Sequence, residues 1–165
     1  MKRRRFLWIT PLALVSLPQR TSAGSVPDVV TAVVRLLEKG LREATPDLID
    51  ELLAADFEYI SGGDIDGAAT GSRQEFLAAT ELLLDPVNTR NLRIRFDPSF
   101  GVEEGPDPDS WFVNELESWI EFDGRPDGGD SFRGFHLHHR SSLGIRSIAG
   151  HRHPGEIFLW EHREA

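Results

Sequence analysis

The 165-residue sequence contains no cysteine. That excludes a disulfide framework, a thiol nucleophile and a lipid-anchoring cysteine. Tyrosine occurs once, as Tyr59. A helical membrane span needs about 20 apolar residues, and no run approaches that length: Phe6 to Leu17 is shorter and is broken by Pro11. A phosphate-cradling glycine loop and a G-x-S-x-G nucleophile elbow are both missing. Asp64 and Asp66, with Glu75 further on, echo a calcium loop. That loop requires an oxygen ligand and a glycine where this chain has Ala68 and Ala69, which argues against calcium.

The basic residues are unevenly placed. Lys2, Arg3, Arg4 and Arg5 precede the short apolar run, and Thr21-Ser22-Ala23 offers small residues for cleavage. This is the layout of an export signal. Residues 1–23 are therefore expected to be a signal peptide and 24–165 a single domain, exported to the periplasm or beyond the cell. Arg3-Arg4-Arg5-Phe6-Leu7 resembles the twin-arginine signal, while Lys2 and Trp8 depart from its usual flanks, so an ordinary secretory signal fits as well. Cleavage would remove five of the 18 Lys and Arg residues and none of the 27 Asp and Glu residues. Such an acidic domain repels nucleic acid and anionic lipid surfaces. The expected partners are a small molecule or a protein, with no membrane span after cleavage.

Val29 to Ile60 organises the rest. Apolar residues at Val26, Val29, Val30, Val33, Leu36, Leu37 and Leu41 have helical spacing, with Ser25 as N-cap. Thr45-Pro46-Asp47 starts a second helix, whose stripe is Leu48, Ile49, Leu52 and Leu53. Phe57 and Tyr59 then alternate with Glu58 as in a strand. Ser72-Arg73-Gln74-Glu75 is a capping box opening a third helix to about Leu84, and Asp85-Pro86 stops it. Strands are predicted at Leu92 to Phe96, Trp111 to Phe122 and Ser131 to Arg140, with weaker ones at Leu143 to Ile148 and Glu156 to His162. Gly101 to Asp109 reads as a loop. Helices followed by antiparallel strands make an α+β order.

The helix-turn-helix-strand opening through Phe57-Glu58-Tyr59-Ile60, the third helix SRQEFLAATELLL and the closing IFLWEHRE resemble the nuclear transport factor 2-like superfamily. That superfamily includes ketosteroid isomerases, scytalone dehydratase and polyketide-cyclase-like proteins. The resemblance covers roughly residues 26–163. It implies three helices packed on a strongly curved, mostly antiparallel sheet, forming a cone with a pocket, and it admits a homodimer through the sheet face. It does not settle function, because the fold hosts many. Isomerase chemistry of that type needs a carboxylate base and an acid pair in an apolar pocket, and no such set can be placed, so no catalytic residue is carried over.

The candidate pocket lining is Tyr59 with one face of the Trp111 to Phe122 strand: Phe112, Asn114, Leu116, Ser118 and Ile120. Six histidines are present, among them two H-x-H pairs, His136/His138 and His151/His153. Residues two apart on a strand share a face, so each pair can present two imidazoles to one divalent metal. No other cofactor is expected. Two registers are open for the strand carrying His136 and His138. Burying Phe135 and Leu137 gains roughly 3–6 kcal/mol, whereas burying two unpartnered imidazoles costs roughly 1–3 kcal/mol each. Outward-facing His136 and His138 are therefore expected. Three functions stay open: a pocket domain that binds without catalysis; an isomerase, dehydratase or hydrolase acting on a small hydrophobic molecule, with His136 or His138 as acid/base; and a periplasmic metal-binding protein.

Overall fold

A computed structural model describes residues 27–62, 69–125, 131–150 and 152–164. The predicted signal peptide, the Ser25 cap, Asp64 to Ala68 and His151 lie outside the described residues. Three helices, α1 (Asp28–Arg42), α2 (Pro46–Leu52) and α3 (Arg73–Leu84), accompany seven strands. These are β1 (Leu53–Gly62), β2 (Ala69–Ser72), β3 (Thr89–Phe96), β4 (Gly101–Glu104), β5 (Ser110–Gly124), β6 (Arg133–Ser147) and β7 (Gly155–Glu164). They form one sheet in the order β2-β1-β7-β6-β5-β3, with β4 pairing the first part of β5. Among the described residues only β1 and β7 run parallel; the other pairings are antiparallel. The expected α+β architecture is present.

The α1 stripe forms the centre of the core. Val30, Val33 and Leu37 are fully buried and belong to one cluster with Val113, Leu116, Leu143, Ile145 and Ile157 of the sheet. At roughly 1.5–3 kcal/mol per large buried aliphatic side chain, this layer supplies much of the stabilisation. Gly40 serves the helix pair: a Cβ there would meet Ile49 Cγ1 at 3.0 Å, so the bare backbone lets α2 pack closely on α1. Pro46 occupies the first turn of α2, as predicted, but the Thr45 side chain makes no cap bond. The second helix also ends one residue early, since Leu53 already belongs to β1.

The capping box of α3 is fully formed. Glu75 N–H donates to Ser72 Oγ at 3.3 Å, and Ser72 N–H and Oγ donate to Glu75 Oε2 at 2.7 and 2.8 Å. Gly101 to Glu104, predicted as loop, is a short strand because β5 extends far enough to pair with it. The predicted strands at Ser131 to Arg140 and Leu143 to Ile148 are one element, β6, flanked along most of its length by β5 and β7.

A β-bulge fixes which side chains of β5 face inward. Between Val113 and Leu116 the strand carries one more residue than β6, and Glu115 has φ 57°. The extra residue reverses the alternation. Upstream of the bulge Val113 is buried, while downstream it is Leu116 and Ser118.

Candidate functional site

A cavity of about 400 Å³ opens between α3, the end of α1 and the inner face of the sheet. Leu41, Phe76, Ile94, Phe96, Ile120 and Trp160 supply its apolar wall, and Tyr59, Ser118, His139 and His162 contribute polar groups. Strand pairing explains the convergence. Tyr59 stands opposite Trp160, Ser61 opposite His162, and Ser118 opposite His139. Because alternate residues share a face, Trp160 and His162 point together into the cavity, as do Ser118 and Ile120.

The aromatic rings make a continuous wall. Phe76 lies 5.2 Å from Tyr59 and 5.0 Å from Trp160 between centroids, with interplanar angles of 50° and 43°. Trp160 is held in place by its indole N–H, which donates to Ser141 Oγ at 3.2 Å. The imidazoles of His139 and His162 meet edge to face, with centroids 4.0 Å apart. Burial, helped by the neighbouring His139, pushes His162 down from its ordinary 6.5 to about 4, so its ring is neutral at physiological pH. At the rim, the Ser72 backbone and hydroxyl hold the Glu75 carboxyl below its usual range.

Of the predicted pocket residues, Tyr59, Ser118 and Ile120 line this cavity. Leu116 faces the same way but is buried in the core, 1% exposed. Phe112 and Asn114 need correction. The bulge turns both to the other face, where Phe112 packs edge-on to Phe158 at 6.0 Å. A strict two-residue alternation misplaced them.

His136 and His138 lie on the outer face of β6. His136 is exposed, with Nδ1 3.7 Å from Glu121. His138 stacks on Trp119 at 4.9 Å. Its Nε2 is 3.4 Å from Glu117 Oε2, an ion-pair distance without hydrogen-bond geometry. Neither lines the cavity, so the acid/base role considered for them has no structural basis. His153 sits elsewhere, buried, with Nε2 2.9 Å from Glu51 Oε2. Ser147 pairs Gly155 at the far end of β6, which puts His153 and His136 near opposite ends of that strand. His136 and His153 therefore do not converge on one ion. Among the described residues, no group of three or more His, Cys, Asp or Glu side chains could hold a metal.

The cavity histidines, His139 and His162, escaped the sequence reading. Both had a signal. Once Leu137 faces inward, so does His139, two residues on. His162 likewise follows Trp160 by two. The two residues meet only across paired strands, a contact that spacing along the chain does not display.

No protein-family model and no curated protein matches the chain. Solved structures do. The chain is similar to an NTF2-like protein of unknown function in nutrient uptake from Rhodospirillum rubrum, with TM-score 0.59 and 15% identity, covering 84% of this chain and 99% of that one. It is also similar to a ketosteroid isomerase-like protein from Erwinia carotovora atroseptica, with TM-score 0.54 and 12% identity, over 82% and 93% of the two chains. A third structure, the CaMKII hub of S. rosetta, gives TM-score 0.58 and 11% identity, over 87% and 99%. The chain has the nuclear transport factor 2-like fold.

Proposed function

We propose that this chain, with a nuclear transport factor 2-like fold, is an exported domain that binds a small, largely apolar molecule in the cavity between α3 and the sheet. The observation that carries this reading is the cavity itself. At about 400 Å³ it falls within the roughly 300–1,000 Å³ of typical ligand sites. Its wall is largely apolar, with polar groups from both α3 and the sheet. Export is supported by the composition of residues 1–23. The test of binding is titration with small neutral aromatics, followed through the Trp160 indole resonance by NMR. Ala79, at the cavity lining, gives a control: Ala79→Trp fills the space and is expected to abolish binding while the fold remains. Binding that persists in the filled variant overturns the reading.

A second reading, an enzyme of isomerase, dehydratase or hydrolase type, is favoured by the contact between His139 and His162. An imidazole beside a bound apolar substrate can exchange a proton with it. On this reading, replacing His139 or His162 with Gln abolishes turnover of a bound compound while leaving its affinity within a few-fold. Equal loss of affinity and turnover argues for binding alone.

A further inference from the structure

The charge and ring pattern of the cavity narrows the ligand. Sixteen described residues line it, and none is Lys or Arg. Glu75 is the lone acid among them. The Ser72 cap occupies Oε2 of Glu75. Oε1 accepts no hydrogen bond among the described residues, so half of the carboxylate remains to meet a ligand.

Gly71 brings this carboxylate next to the aromatic wall. A Cβ built on Gly71 would lie 3.5 Å from Tyr59 Cδ1 and 3.7 Å from Glu75 Oε2. The ring edge and the Glu75 carboxylate thus lie on either side of the bare Gly71 backbone, close enough for one ligand group to reach both. Beyond it, the tilted Tyr59, Phe76 and Trp160 rings follow one another at 5.0–5.2 Å. Aromatic walls beside a carboxylate are the chemistry that recognises a positively charged nitrogen bearing carbon substituents. Among the described residues the lining supplies no Lys or Arg to oppose it or to pair with an anionic ligand.

We infer that the cavity binds an organic ammonium, with the cationic nitrogen between the Tyr59–Phe76–Trp160 wall and Glu75 and the hydrocarbon part against Ile94, Phe96 and Ile120. This rests on the proposed reading of the cavity as a ligand site. The two can fail separately if the probes form an isosteric pair: benzyltrimethylammonium, and neopentylbenzene, in which a carbon replaces the charged nitrogen. Both are titrated into the folded domain, with the Tyr59 and Trp160 resonances followed by NMR.

The cation is expected to bind about tenfold or more tightly than its neutral twin, the scale of a partly desolvated cation–π contact. Glu75→Gln keeps the capping-box residue type, so folding is preserved. It is expected to weaken the cation at least about fivefold and leave neopentylbenzene unchanged. Equal or tighter binding of the neutral probe overturns the ammonium inference and leaves the cavity reading standing. So does an unaffected cation in Glu75→Gln. If neither probe shifts Tyr59 or Trp160, both readings fail. Cation binding that survives Ala79→Trp is attraction to the acidic surface, and that outcome also overturns the inference.

Discussion

His162 links the cavity to pH. Its half-buried ring has a folded-state pKa of about 4 against an ordinary 6.5. Between those values the unfolded chain binds the proton and the folded chain does not. Stability is therefore full above pH 6.5 and is lost as pH falls toward 4. Allowing for partial exposure of the ring, the loss is roughly 1–2 kcal/mol. Denaturant melts at pH 7, 5.5 and 4.5 check this: His162→Leu is expected to flatten the decline. Glu51, Asp56 and Glu75 also have lowered values, held by His153, Arg146 and Ser72 respectively. Their stabilisation is lost as pH falls from the ordinary carboxylate values downward, so the two windows overlap below about pH 5 and only the decline above it belongs to His162 alone among these four groups. A decline that persists unchanged in His162→Leu would assign it to other groups. At this scale legibility depended on distance along the chain. The Ser72/Glu75 capping box was readable because its two partners are three residues apart. The His139–His162 contact was not, because two strands had to be paired first.

Among the elements, β5 carries the decisive irregularity. Glu115 holds a left-handed backbone at φ 57°, a conformation that costs an L-residue roughly 1–2 kcal/mol and a β-branched residue more. Glu115→Val is expected to lower stability by about 1–2 kcal/mol, read as a lower denaturant midpoint at unchanged slope. Glu115→Gly is expected to hold or raise it. Equal midpoints for the two variants would show that the bulge stores no strain. The helices were legible because their apolar stripes repeat within the segment, as Val30, Val33 and Leu37 do. The bulge lacked such a signal: nothing in Val113-Asn114-Glu115-Leu116 distinguishes a bulged strand from a regular one. That is why Phe112 and Asn114 were assigned to the wrong face. The buried stripe of α2 gives a further test: Leu52, fully buried, is expected to cost roughly 2–5 kcal/mol when cut to Ala, seen as a shift in the thermal or denaturant midpoint.

For the molecule as a whole, the order of helices and strands pointed to the α+β class. The sheet order did not follow from it, because a parallel β1–β7 neighbourhood joins segments a hundred residues apart that share no local pattern. The proposed export also belongs to this scale. Mass spectrometry of the protein from its native host is expected to show cleavage near Ala23, and a mature form retaining Met1 to Arg20 would sink that proposal. The place of β7 has a consequence for how the chain is born. Gly155–Glu164 follows the other described strands in chain order, yet it lies mid-sheet, between β1 and β6. Without it, β2-β1 and β6-β5-β3 have no pairing between them, and each has an open edge. The native topology therefore has high contact order and closes late. A ribosome-tethered chain ending at Pro154 is expected to be cut by protease throughout, and one extended past Ala165 by a linker to be resistant. Docking of this ten-residue strand is thus the step that joins the two fragments into one sheet.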